Sequence, residues 1–489
     1  MRTHFLLFLS LVIGYSIQAQ KRVIKNIDRS VSQRSIESHL RFYASDEMRG
    51  RNTATIENEI AAKYIAERMR AYGVSKPPGH DSFFQKVPLI QRKVPSVGTF
   101  TVGDSVFSLW DDLIFLTADN LSDSTEFVFI NYGTAEDFEQ KMEGKVAVGI
   151  YALPPEGTRL SKEEMIDRLI EKGAIALLEL YRPSKYDWPL LINYLSGDQF
   201  ELAGADVTDL TFPTGWIVDG NGEKLSFFKG LENKEIFIEV KGAETDTVEV
   251  PNVVGYIEGT DPDLKEEYIL ISAHLDHVGV KNVLGAEDSI WNGARDNGIG
   301  ITNMLTAAEY FGENPPKRSI IFLACNAEEV GLLGSQWYAD HPLFPLNKTV
   351  FNINTDTGGY NDSTKVTVVG LDRTSIKDVL MESSRPFGLE TIDDPVPEEN
   401  TFDRSDNVSF AEKGIPAISY GPGYTSKDEE IDKYYHQPGD EPSTINYPFI
   451  TQFCKAYIYT VWQIANHKEQ ISWKKGDKYE PAGDLLYGR

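Results

Sequence analysis

The sequence predicts an α/β protein: a mixed, mostly parallel central sheet flanked by helices, with a β-rich segment inserted into it. Three observations carry the α/β class and the separate strand-rich segment, and the mixed sheet and the insertion are what the family resemblance given below implies. Ile269 to Ala273 (ILISA), Ser319 to Ala324 (SIIFLA) and Val350 to Asn354 (VFNIN) are short apolar runs rich in branched residues, which read as buried strands. Helical patterns such as Ile299 to Phe311 and Ile376 to Ser384 alternate with strands from Pro251 onward, as in a sheet with helices on both faces. Between about Val97 and Val248 the pattern turns strand-like, in TFTVGDSVFSLW, EFVFINYG, KVAVGIYAL, AIALLEL and EIFIEVKG, broken by one helix at about Lys162 to Lys172.

From the N-terminus, MRTHFLLFLSLVIGYSIQAQ combines Arg2, an apolar stretch from Phe5 to Tyr15 and small or polar residues around Ala19. That pattern describes a cleavable signal peptide over residues 1–20 and predicts an exported protein. The apolar run is too short to span a bilayer, and no second stretch approaches membrane length, so stable membrane insertion is not expected. Residues 21–96 form a helical part, whose second helix shows an apolar face of Ile56, Ile60, Ala61, Tyr64, Ile65 and Met69 and stops at Gly73. The insert follows over 97–248. Residues 249–470 hold the α/β pattern, and the polar tail 471–489 is expected to be loosely held.

Composition frames these parts. At 489 residues, with 41% hydrophobic and 25% charged content, the chain can bury a sizeable core and suggests two domains. A net charge of −26 disfavours nucleic acid and anionic membranes as partners. The two cysteines, Cys325 and Cys454, read as buried free thiols, although an exported protein could pair them.

Five polar islands concentrate chemistry in the C-terminal half: His274 and Asp276 in SAHLDHVGV, Asp296 in GARDNGIG, Glu328 and Glu329 in CNAEEVGLLGS, Asp356 in NINTDTGG, and His436 in YYHQPGDE. Several begin where an apolar strand ends, and in an open α/β sheet ligand sites gather at the carboxyl ends of strands. Two imidazoles with several carboxylates suit a pair of divalent ions, and two zinc ions fit the set best. Such a pair needs a carboxylate between the ions, terminal ligands on each, and a free acid/base for the proton of water. The insert contains none of these residues. His277 reads as a packing or hydrogen-bonding residue rather than a ligand, and His341 as ordinary surface.

These segments, with LRFYASDEMRGR near the start, resemble the M28 family of metallopeptidases, in its aminopeptidase-type branch with an inserted protease-associated domain. The resemblance implies a zinc exopeptidase-like fold and peptide or protein substrates. It also implies that His274, Asp296 and Asp356 hold one zinc and that Asp296, Glu329 and His436 hold the other, with Asp296 as the bridge. Glu328 would be the general base, and Asp276 would orient His274. The middle region, with GKVAVGIY and EKGAIALLEL, is similar to the protease-associated insert. RSDNVSF at 404–410 looks like a family segment near the active-site rim. Two positions depart from the pattern: Arg295 precedes the bridge where an acid is frequent, and Asn407 stands where a histidine is frequent.

The residues give independent reasons for these roles. Adjacent glutamates at a strand end can point apart, so one can bind metal while the other takes a proton. Asp276 is spaced to reach the second ring nitrogen of His274, a contact that would fix its tautomer. Three function classes remain open: an aminopeptidase; a carboxypeptidase or glutaminyl cyclase on the same scaffold; and a non-catalytic binding descendant. The complete ligand set and the insert favour the first.

Overall fold

The computed structural model describes residues 18, 20–183, 187–204, 212–231, 234–281 and 288–489. The segment expected to be a signal peptide lies outside the described residues except for Gln18 and Gln20. The chain divides into two units, one made of residues up to 88 together with 249–489, the other of residues 89–248. The second unit thus begins at Leu89, ahead of the Val97 expected from the composition shift.

The first unit is built on strands β1 (Glu244–Ile257, in this unit from Glu249 onward), β2 (Tyr268–His274), β3 (Ser319–Cys325), β4 (Thr349–Asn354), β5 (Lys365–Val369), β6 (Glu390–Asp393) and β7 (Ala417–Pro422). Their order is β6-β5-β7-β4-β2-β3-β1. The four central strands, β7, β4, β2 and β3, run parallel, whereas β1 and β5 pair antiparallel to their inner neighbours. Every residue of β3 and β4 is buried, and all but the first of β2, which explains the near-continuous apolar runs. Alternation sorts the two faces. Ile269, Ile271 and Ala273 pack with the helices Gln33–Tyr43, Ile56–Ala71, Gly300–Glu313 and Tyr447–Ala465, while Leu270, Ile321 and Leu323 pack with Tyr338, Phe344 and Phe410.

Register places the chemistry. His274 pairs with Cys325 and Ser272 with Asn354, so three strands end nearly level. The chain leaves β2 for β3 on one side and reaches β4 on the other, a reversal that opens a crevice at the carboxyl ends.

The tail 471–489 is not loose, contrary to expectation. Ile471 and Trp473 are buried, Trp473 Nε1 donates to Gly414 O at 3.0 Å, and Arg373 grips Asp477 through two bonds of 2.7 and 2.9 Å. Helix Glu480–Tyr487 then returns Tyr487 to Thr349 O. A few aromatic anchors outweigh the polar composition of the segment.

The second unit carries its own eight-stranded sheet, running in order through Ser105–Ser108, Val97–Val102, Glu235–Lys241, Leu121–Phe129, Val146–Ile150, Ala176–Tyr181, Thr214–Val218 and Leu113–Thr117. Its helix Lys162–Glu171 starts on a capping box between Ser161 and Glu164. Phe100, Phe107, Phe127 and Phe228 centre one apolar core.

Candidate metal centre

Each strand end delivers its island to the crevice. His274 is the last residue of β2 and is 1% exposed. Beyond β3 the chain turns through Ala327, at φ +58°, and presents Glu328 and Glu329. Asp356 follows β4, where Thr355 N donates to Ser272 O at 2.9 Å. Asp296 lies in the irregular turn Ala294–Ile299 that opens the helix Gly300–Glu313. Gly293 starts that turn at φ +60°, and a Cβ there would lie 2.1 Å from Asp296 O. Only glycine permits so tight a return. His436, at φ +49°, arrives on the loop between helices Glu429–Asp432 and Tyr447–Ala465.

Asp296 sits between two groups. Its Oδ1 is 3.2 Å from His274 Nε2, which also approaches Asp356 Oδ1 at 3.3 Å. Its Oδ2 is 3.1 Å from His436 Nε2, which also approaches Glu329 Oε2 at 3.2 Å. Donor atoms of His274, Asp296 and Asp356 fall within 4.8 Å of one another, as do those of His277, Asp296, Glu329 and His436. Two ligands at the usual 2.0–2.2 Å from a tetrahedral ion stand roughly 3.4 Å apart. The observed spacings fit that edge, and hard oxygen with imidazole nitrogen suits a borderline cation.

The charges are arranged to be neutralised. Burial alone would lower the His274 and His436 imidazoles, yet the carboxylates around them, Glu328 and Asp356 for the first and Glu329 and Asp296 for the second, hold both well above the ordinary histidine range. A divalent cation would displace such protons and take over their role. The two glutamates diverge. Burial, reinforced by Asp356, Glu329 and Asp406 against the pull of His274, pushes Glu328 well above the usual carboxylate range. Burial acts on Glu329 in the same sense, but His436 and His277 overcome it and hold Glu329 well below that range. The two neighbouring carboxyls are thus driven in opposite directions.

Two sequence expectations change. The Asp276 carboxylate does not reach His274: Nδ1 of His274 lies 3.2 Å from the Asp276 backbone oxygen and 4.0 Å from Oδ1. The Asp276 side chain turns instead to the amides of Glu328 and Glu329, at 3.1 and 3.2 Å, and accepts from Thr53 Oγ1. Asp406, expected at the rim, is 1% exposed. Burial raises its carboxyl, His274 and Ser335 oppose that, and Asp356 and Asp276 add to it, leaving it at about 6. Arg295 is buried, bound to Asp440 Oδ1 at 3.0 Å and Thr444 Oγ1 at 2.7 Å, with its guanidinium 3.5 Å from the Tyr434 ring centroid. His277 does hydrogen-bond nearby, to Glu329 Oε1 at 2.7 Å, and both cysteines are free and buried. Arg51, Thr53 and Asp440 were not singled out from sequence. Arg51 and Asp440 lie inside the quoted segments LRFYASDEMRGR and YYHQPGDE, which were the available signal.

Residues 252–461 match the sequence profile of peptidase family M28. Over 280 residues the chain is 28% identical to the aminopeptidase YwaD of Bacillus subtilis strain 168, a match covering 56% of each protein, so the aligned stretch spans little more than half of that relative. The fold resembles the aminopeptidase from Aneurinibacillus sp. strain AM-1, with a TM-score of 0.63 at 20% identity over 91% of this chain and 97% of that one. It also resembles BSAP, a zinc aminopeptidase from Bacillus subtilis, with a TM-score of 0.56 at 22% identity over 92% and 97%. These likenesses establish the mixed α/β fold.

Proposed function

We propose that the protein, whose residues 252–461 match the sequence profile of peptidase family M28, is an exported dinuclear zinc aminopeptidase that releases N-terminal residues from peptides. One observation carries the reading: the two carboxylate oxygens of Asp296 face different histidines, at 3.2 and 3.1 Å. That favours Asp296 as the bridge, with His274 and Asp356 on one ion and Glu329 and His436 on the other. Such ions supply, when bound, polarisation of a carbonyl and acidification of water. Glu328 takes the proton of the attacking water and passes it to the departing amine. Burial pushes the Glu328 carboxyl well above its ordinary range, which favours its taking up a proton. Asp276 directs both glutamates by accepting their backbone N–H groups.

Polarity follows from what is left to hold a substrate terminus. A carboxypeptidase needs a cationic clamp, ideally a bidentate arginine. Arg295 is committed to Asp440 and Thr444, and Arg404 is exposed beside Glu399 at 3.9 Å. The crevice itself is rich in carboxylate, which suits an α-ammonium. The unit 89–248 serves as a protease-associated-type insert that supplies no ligand; among the described residues, no metal-suited group falls within it. Export rests on the N-terminal apolar stretch, and no helix among the described residues is long and apolar enough to cross a membrane.

The test is hydrolysis of free and N-acetylated peptides by the purified protein, with and without a chelator. Release of N-terminal residues from free peptides only, abolished by the chelator, is expected. Sequential loss from the C-terminus of an N-blocked peptide would contradict the assigned polarity.

A further inference from the structure

We propose that Arg51 and Asp440 are positioning residues that grip the Asp296 turn from opposite sides and set its carboxylate between the two histidines. The inference rests on the dinuclear reading above and adds what maintains it.

The carbonyl side of the turn belongs to Arg51. This guanidinium is fully buried and donates to five backbone oxygens: Nε to Leu275 at 3.2 Å, Nη1 to Tyr43 at 3.2 Å and Asn292 at 2.6 Å, Nη2 to Gly293 at 3.2 Å and Asp296 at 3.4 Å. Its carbon lies 4.6 Å from the Tyr43 ring centroid, and the Tyr43 hydroxyl donates to the same Leu275 oxygen at 2.7 Å. One planar fork thereby ties the residue that follows His274 to three carbonyls of the Asp296 turn. A lysine has the charge but not the fork. Gly50 makes the approach possible: at φ +65°, a Cβ on it would lie 2.3 Å from Trp291 O.

The amide side belongs to Asp440. Its Oδ2 accepts from Arg295 N at 2.8 Å and Asp296 N at 3.2 Å, its Oδ1 from Arg295 Nη1 at 3.0 Å, and its backbone oxygen from Ala294 N at 3.0 Å. Asp440 shares the YYHQPGDE loop with His436, so it joins the turn to the segment that carries the second histidine. The buried cation therefore fixes Asp296 relative to His274, and the buried anion fixes it relative to His436. Neither side chain belongs to the clusters of imidazole and carboxylate donors suited to a metal.

The experiment compares zinc affinity and the zinc-induced rise in unfolding midpoint for the full chain and its variants. A ligand that binds only the folded state raises stability according to its affinity. A loss of general packing lowers metal-free and zinc-loaded midpoints alike, whereas a misplaced bridge shrinks the rise itself. Arg51→Lys is expected to weaken zinc at least tenfold and shrink the rise. Asp440 is tested in an Arg295→Met background, where replacing both charges avoids leaving one buried alone. There Asp440→Leu, which removes the amide acceptor, should also weaken zinc at least tenfold, and Asp440→Asn, which keeps an acceptor oxygen, should recover most of the affinity. Unchanged affinity and an undiminished rise in Arg51→Lys and in the Leu variant, with tight zinc in the parent protein, would overturn the proposal alone. Absence of tight zinc from the parent protein would overturn the dinuclear reading and the proposal together.

Discussion

The two units of this chain bury different things. Between residues 89 and 248 the buried polar side chains among the described residues are Glu179, Thr214 and Asp219, and Glu179 is paired with Arg159 around a core of stacked phenylalanines. The other unit buries His274, Asp276, His277, Arg295, Asp296, Asp406 and Asp440 within one crevice. Removing ionised groups from water is costly unless they are paired or coordinate a cation. One unit is organised by its apolar core alone, while the other adds to its apolar core a buried cluster of carboxylates and imidazoles of the kind that suits a cation.

The sharpest way to break that contrast is to remove the shared carboxylate. Asp296→Asn should lose both zinc ions and with them peptidase activity, because an amide offers one neutral oxygen where a carboxylate offers two charged ones; elemental analysis of the purified variant reads it. Next, Glu328→Gln should keep both ions and lose at least about a hundredfold in turnover, the usual contribution of a general base. Glu329→Gln, by contrast, should lose metal, and zinc content beside steady-state kinetics separates the two.

A smaller effect concerns pH. His274 and His436 have folded values raised above the unfolded reference of about 6.5. In the metal-free protein their contribution to stability is therefore fully present below that reference and is lost as pH rises through the raised folded values. Zinc must displace the same protons, so its affinity should rise with pH across that window, with proton release seen calorimetrically in buffers of different ionisation enthalpy. The smallest effect on the centre should come from the other unit. Phe228→Ala is expected to cost about 3–5 kcal/mol of that unit's stability and to leave zinc content unchanged.

Much of the site was legible because parallel strands buried on both faces read as unbroken apolar runs, so the ends of ILISA, SIIFLA and VFNIN mark where side chains emerge. The helix after Asp296 and the separate character of the middle region were legible from period and composition in the same way. What stayed hidden depends on direction. Spacing puts Asp276 near His274, but the turn sends its carboxylate to the amides of Glu328 and Glu329 and leaves its backbone oxygen by the imidazole. The family resemblance suggested a rim position for Asp406, yet it is buried. Arg51 works through backbone carbonyls, acceptors that every residue type supplies equally, so no pattern of side chains betrays it. The tail reads as polar because the anchors Trp473, Asp477 and Tyr487 are few and widely spaced.

The central claim is that Asp296 joins two ions into one centre. Anomalous diffraction at the zinc edge from crystals of the zinc-loaded protein tests it most directly. The account predicts two peaks about 3.5–4 Å apart, the spacing of two-metal sites, with the Asp296 carboxylate between them, His274 and Asp356 against one and Glu329 and His436 against the other. A single peak, or two peaks that do not share Asp296, would contradict it.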